Sequence, residues 1–185
     1  MKTALARAGA ALLALLALGS CGTLSEETCR QGNWSEIGYR DGARGRSENF
    51  VSNHAQACGK VGVTPDLAAW RAGRVEGLRR YCTTQNAYDA GLGGDRLNPV
   101  CPASDRLRLA LAEDQGLRIH AMRREIDRLD YANASDEARL DDLLTGELDK
   151  EDRRRVRKLR RDIEERNYEI RRLEREAQLS RPGFY

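Results

Sequence analysis

Between Asp149 and Gln178 the chain places Val156, Leu159, Ile163, Arg166, Ile170, Leu173 and Ala177 in alternating steps of three and four. That period draws one stripe along an α-helix, with a single polar member at Arg166. A helix of roughly 30 residues is about 45 Å long, and one that is apolar only on a stripe must lay it against a partner surface. Leu111, Ile119, Met122, Ile126 and Leu129 draw a second stripe at helical spacing, ending near Ala132. A short connection joins the two, so an antiparallel, coiled-coil-like hairpin is the nearest solution. A parallel dimer of the last helix satisfies the same stripe, which leaves the oligomeric state open. Ser104 is expected to cap the first of these helices. Asn133-Ala134-Ser135-Asp136 is expected to interrupt it, with Ser135 capping a short helix that carries Leu140, Leu143 and Leu144 and stops at Gly146.

Charge divides the chain. Residues 105–185 carry 20 basic and 20 acidic side chains, whereas residues 21–104 carry 10 and 9 and hold 12 of the 17 glycines. Three segments follow: a targeting segment at 1–20, a Cys/Gly-rich domain at 21–104 and the charged helical hairpin at 105–185. The fold class is therefore mainly α, a small stapled helical domain followed by the hairpin. The whole chain is formally +3, and loss of Lys2 and Arg7 with the targeting segment leaves +1, so nucleic-acid binding driven by net charge is not expected. Seven bases do crowd into Arg153–Arg161. They would suit lipid phosphates or an acidic protein, or form a solvated face neutralised by the acids at 147–152 and 162–165.

Lys2 and Arg7 precede an apolar run of 11 residues, Ala8–Leu18, that is too short to span a bilayer and reads as a secretory signal. Leu18-Gly19-Ser20-Cys21 resembles the lipobox of bacterial lipoproteins, in which the Cys thiol receives a diacylglyceryl group and the new amine is acylated. Membrane attachment through a lipidated Cys21, palmitate included, is the expectation. Gly22 in place of Asp implies, by the same resemblance, the outer membrane and a periplasm-facing domain.

Four cysteines remain, Cys29, Cys58, Cys82 and Cys101, all before the charged region. An exported domain of roughly 80 residues with few large apolar side chains is of the kind that disulfides staple. Four cysteines allow three connectivities. If helices near 34–45, 47–58 and 65–81 run up, down and up, Cys29 and Cys58 share one end while Cys82 lies about 24 Å away at the other. A bridge needs Cα atoms within roughly 7 Å, so Cys58 to Cys82 would not close in that layout, and Cys29 with Cys58 and Cys82 with Cys101 is the simplest set. Thr64 and Pro65 are expected to open the third helix, and residues 86–102 are expected to form loop or broken turns.

Aromatic-x-x-Gly followed by a further glycine occurs three times: Tyr39 with Gly42 and Gly45, Trp70 with Gly73 and Gly77, Tyr88 with Gly91 and Gly94. On a helix such spacing aligns glycines on one face, where backbones can approach closely; Gly38, Gly42 and Gly45 make the clearest case. No nucleotide-binding glycine motif, Cys-x-x-Cys, Gly-x-Ser-x-Gly or His-Glu-x-x-His is present, so no cofactor, metal or catalytic residue is assigned. His54 and Cys58, four apart, would serve as metal ligands only if that cysteine were free. Asp41, His54 and Glu76 are the candidate polar site of the compact domain, the acid/base set of an envelope enzyme should they converge.

Trp34-x-x-Ile37-Gly38-Tyr39-x-Asp41-Gly42-x-x-Gly45, His54-x-x-x-Cys58, Trp70-x-x-Gly73-Arg74-x-x-Gly77-Leu78-x-x-Tyr81-Cys82-Thr83 and Val100-Cys101-Pro102 together resemble a family of proteobacterial lipoproteins. That family is catalogued as a domain of unknown function, number twenty-seven ninety-nine. The similarity runs over about residues 29–102 and departs at Leu97, where the family tends to have Tyr. It implies location and architecture and supplies no reaction. The reading is of a non-catalytic, partner-binding envelope lipoprotein whose residues 105–185 meet an envelope protein or anionic lipid, with no nucleic-acid partner. An envelope enzyme using His54 and acidic residues is the alternative.

Overall fold

The computed structural model describes residues 23–181. The expected signal, and Cys21 with it, lies outside them. Seven α-helices follow in order: α1 Glu26–Gln31, α2 Trp34–Ala43, α3 Val51–Gly59, α4 Leu67–Tyr81, α5 Thr84–Gly93, α6 Arg106–Leu144 and α7 Lys150–Leu179. Single 3-10 turns at Glu48–Phe50 and Ala103–Asp105 lead into α3 and α6, and no strand forms among the described residues. The chain is mainly α, as its patterning indicates. It divides into two compact units, the first ending at Tyr81 and the second beginning at Cys82. Helix α5 and the second disulfide therefore go with the long helices.

In the first unit α2 and α4 run parallel and touch backbone to backbone. A β-carbon on Gly38 would collide with the main chain of Trp70, and one on Gly42 with Arg74 and Leu78. Reciprocally, one on Gly73 would strike the Ser35 carbonyl and one on Gly77 that of Tyr39. Residue numbers rise together along both helices, which is the up-and-up relation the cysteine argument assumed. Gly45 is the exception to the expected glycine face: it follows the helix in a left-handed conformation (φ 66°), beneath the Tyr81 ring. Side chains fill the space beside the interlock, where Cys29, Trp34, Ile37, Cys58 and Trp70 form the core. Cys29 and Cys58 are bonded across it, with Cα atoms 5.4 Å apart.

The local starts differ from expectation in small ways. Helix α4 opens at Asp66, whose carboxylate accepts the Ala69 amide at 3.0 Å, rather than at Thr64 and Pro65. Asp is the better acceptor for an exposed first-turn amide. The larger correction is α5, where loop was expected. Thr83 caps it by accepting the Asn86 amide at 3.1 Å, and Gly94 ends it at φ 86°. Gly91, inside the segment expected to be loop, sits where α5 crosses α6, and a β-carbon there would meet the Glu113 carbonyl. Gly116 answers from α6, against the Tyr88 carbonyl. The α2/α4 joint thus recurs in the second unit, and Cys82 to Cys101 closes it with Cα atoms 5.6 Å apart.

Helix α6 continues for 39 residues without the expected break at 133–136. Asn133 and Asp136 turn inward and are buried, and α7 supplies their partners. Arg166 donates to Asn133 Oδ1 at 2.7 Å and to Asp136 Oδ2 at 2.5 Å, while Asn133 donates to Asn167 at 2.8 Å. Polar residues satisfied across a seam do not stop a helix; they set its register. Gln115, near the other end, donates to the Ser180 carbonyl at 2.6 Å, so α6 and α7 are antiparallel. Leu129, Ile170 and Leu173 form the apolar part of the seam, flanked by Met122 and Ile126. Thr145 ends α6, and Asp149 opens α7 by accepting the Asp152 amide at 2.7 Å.

Candidate functional site

Two of the three candidate polar residues come together. Asp41 on α2 and His54 on α3 are both almost wholly buried, 5% and 2% exposed. His54 Nε2 lies 2.8 Å from Asp41 Oδ2, and the Trp70 indole N–H donates to the same oxygen at 2.8 Å. On its other side, His54 Nδ1 is 2.8 Å from the Thr23 hydroxyl. Since the indole is a donor only, Asp41 is an acceptor in this cluster. In the tautomer that donates Nε2–H to the carboxylate, Nδ1 accepts a hydrogen bond from the Thr23 hydroxyl. One carboxylate oxygen therefore holds α2, α3 and α4 together and orients a hydroxyl at the start of the described chain.

The backbone interlock makes this possible. Trp70 precedes Gly73 by one helical turn, so its indole enters the gap beside α2 where Asp41 precedes Gly42. The Phe50 ring meets His54 edge to face, with centroids 5.2 Å apart. Arg74 donates from Nε to the Arg46 carbonyl at 2.8 Å and lies 5.9 Å from the Trp70 ring centre. Burial pushes the Arg74 guanidinium below its ordinary value, against the opposing pull of Glu48 and Asp41. It remains a cation at any working pH.

Glu76 does not join them. It lies on the exposed side of α4 and pairs with Arg79 at 3.2 Å. Cys58 is bonded to Cys29, so the His54-x-x-x-Cys58 pair is not a metal site. Thr23 was not singled out by its sequence, and Trp70 was noted for its glycine spacing but not as a member of the polar site. The signal for Trp70 was present: an indole packed beside a close-approach glycine is buried, and a buried N–H needs an acceptor.

Beside the cluster opens a cavity of about 280 Å³, with Thr23, Asp41 and His54 in its lining. Arg40, Arg44 and Arg46 complete the polar part, and Leu24, Ile37 and Phe50 form the apolar part. Arg40 is shared with Glu36 at 2.9 Å, and the Arg46 guanidinium packs 4.5 Å from the Phe50 ring centre.

On α7 the basic block is partly engaged. Arg153 donates to the carbonyls of Leu148 and Asp149, Arg155 pairs with Glu151 at 2.6 Å, and Lys158 lies 3.9 Å from Asp162. Arg154, Arg157 and Arg161 are exposed at steps of three and four, and the structure pairs none of them with an acid among the described residues.

The model of a protein family described as a protein of unknown function, DUF2799, matches residues 33–117. That segment takes in both interlocks, from Gly38 to Gly116, together with Asp41, His54 and Trp70, and it ends within α6. Comparison with curated proteins and with solved structures finds no match.

Proposed function

We propose that the protein is an outer-membrane-anchored, periplasm-facing lipoprotein that works without catalysis, holding a rigid helical arm toward a partner in the envelope. The observation that carries this reading is the continuity of α6. It begins inside the segment that the DUF2799 model matches and runs 27 residues past residue 117 without a break, about 40 Å of helix, with α7 packed against it. A lone helix of that length with a mostly charged surface would not hold itself straight, and the seam with its Arg166 lock stiffens it. The exposed row Arg154, Arg157 and Arg161 gives the arm a cationic edge suited to an acidic protein surface or anionic lipid. The lipobox-like Leu18-Gly19-Ser20-Cys21 and the two disulfides support placement outside the cytoplasm. No described helix is long and apolar enough to cross a membrane, so attachment through Cys21 is the reading for the membrane.

The test uses the full chain in envelope membranes. Cys21→Ser should abolish fatty-acid labelling and release the protein from the membrane fraction. In the anchored protein, reversal of Arg154, Arg157 and Arg161 to Glu should remove the crosslinked partners recovered with the wild type. Identical crosslinks from both forms would overturn the arm as a docking element.

A second reading, an envelope enzyme, has one observation in its favour: the Thr23–His54–Asp41 chain resembles a hydroxyl activated by an oriented base. The Trp70 bond to the same Asp41 oxygen favours a structural hub. Thr23→Val separates them, because a hub tolerates that change with a small loss of stability, whereas a nucleophile does not tolerate it at all.

A further inference from the structure

We propose that the cavity beside the Asp41–His54 cluster is a binding site for a phosphate monoester. The site is independent of the hairpin, since every residue lining it lies in the first unit. Asp41 is the one carboxylate in the lining, and its Oδ2 already accepts from His54 and Trp70. Arg40 is partly neutralised by Glu36. Arg44 and Arg46 have no acidic partner among the described residues, and both line the cavity. Arg44 and Arg46, with no ion pair of their own, outnumber the single Asp41 carboxylate, so the lining is net positive and attracts an anion.

Geometry selects phosphate over a carboxylate. Guanidinium forks suit tetrahedral phosphate oxygens as well as planar carboxylates, but several forks around one cavity serve three terminal oxygens better than two. The Arg46 fork is held by its packing on Phe50, which reduces what must be ordered on binding. The Thr23 hydroxyl, fixed by His54, adds a neutral polar group to the lining. A cavity of about 280 Å³ takes a phosphoryl group with a few attached atoms; it falls just below the range of drug-sized ligand sites, roughly 300 to 1,000 Å³. The same chemistry fits inorganic phosphate, the phosphoryl end of a small metabolite, or the headgroup of a monoester phospholipid.

The experiment titrates the disulfide-intact full chain with inorganic phosphate by calorimetry, and separately with phosphatidylcholine vesicles with and without phosphatidic acid. Acetate is the carboxylate comparison. The variant is Arg44→Gln with Arg46→Gln. Both side chains are exposed, and an unchanged thermal melt confirms the fold. Arg79→Gln, on α4 and outside the lining, is the control for general charge. Saturable phosphate binding, weakened at least tenfold in the double variant and unmoved in the control, establishes the site. Phosphatidic acid vesicles bound with the same dependence on Arg44 and Arg46 assign it to a lipid headgroup, while phosphate binding without vesicle binding assigns it to a soluble phosphoryl ligand. Absence of binding to either probe, acetate binding as tightly as phosphate, or equal weakening in Arg79→Gln would each overturn the proposal.

Discussion

The α2/α4 pair and the α6/α7 pair solve the same problem by opposite means. In the first, side chains are removed: Gly38, Gly42, Gly73 and Gly77 let two backbones meet, and the core sits beside the contact rather than in it. In the second, side chains make the contact, with an apolar cluster at Leu129, Ile170 and Leu173 and a polar lock at Arg166. Helix α6 uses both, joining α5 through Gly116 and α7 along the rest of its length. A chain with 33% charged residues and ten aromatics has little apolar bulk to spend on packing. Close approach stabilises a joint by dispersion between backbones and needs none. Its weakness is intolerance, because a backbone cannot rotate out of the way as a side chain can.

The largest expected effect separates the stapled region from the seam. Replacing Cys29 and Cys58 together by Ala frees a loop of 29 residues and should cost about 3–4 kcal/mol by loop-closure entropy. Hydrogen exchange should rise through α2, α3 and α4 while the α6/α7 amides keep their protection. Equal loss in both places would mean that the two joints melt as one unit and that the contrast has no energetic meaning.

Next comes the interlock itself. Gly73→Ala adds one methyl against the Ser35 carbonyl and should destabilise the first unit by about 3 kcal/mol, because overpacking against main chain is relieved only by moving helices apart. Gly59→Ala makes the same chemical change at the end of α3, where nothing lies within 4 Å, and should stabilise by about 0.5 kcal/mol. Two substitutions identical on paper are thus expected to differ in sign, as read by denaturant unfolding. A mild effect at Gly73 would show that the backbones are not in contact.

These joints also explain what could be read from sequence. The spacing of Gly38 with Gly42 and Gly73 with Gly77 announces close approach, and the up-down-up layout chooses both disulfides correctly because α2 and α4 do run parallel. The same reasoning misread Gly91, since a glycine that breaks a lone helix is the residue a crossing requires. It misread Asn133 and Asp136 for a related reason: local propensity counts an Asn-Ala-Ser-Asp run against helix, and Arg166, thirty residues on, compensates it. Asp41 and His54 were legible as titratable residues in a compact domain. Glu76 was chosen on type alone; it lies roughly 80° round α4 from the midpoint of Gly73 and Gly77, off the face that meets α2. Arg40, Arg44 and Arg46 were visible as three bases within seven residues, but only the fold shows that they border one cavity.

The polar lock sharpens the comparison at lower energy. Arg166→Leu removes the α7 partner of Asp136 and Asn133 and should cost about 2 kcal/mol, below the range for fully buried pairs because Arg166 is one-fifth exposed. Adding Asp136→Leu should recover most of that loss, since the buried carboxylate, left with the exposed Arg139 alone, then disappears. The seam, unlike the interlock, is repairable by a second side chain. Denaturant midpoints of the two variants measure it, and a double variant less stable than the single one would contradict the account.

The smallest effect is in pH, and its sign follows from Asp136. The hydrogen bond from Arg166, and then that from Arg139, hold its carboxyl below the usual aspartate range. A group whose folded value is depressed stabilises the fold above its unfolded value, about 3.9, and loses that contribution as pH falls through the folded one. The hairpin should therefore lose stability between about pH 4 and the acid limit, and Asp136→Asn should flatten the slope. Glu125 and Glu169 are depressed too, by hydrogen bonds from Arg128 and Arg172, and would blur the result. Both are surface pairs within a single helix, however, whereas Asp136 faces into the seam. At 1 M salt the screening length falls to about 3 Å, so the exposed pairs weaken and the sheltered one persists. Melting curves from pH 5 to 2.5 in high salt should then still separate wild type from Asp136→Asn, with the wild type falling more steeply. Coincident slopes would place the acid sensitivity of the hairpin on its surface and remove Asp136 from the seam's energetics.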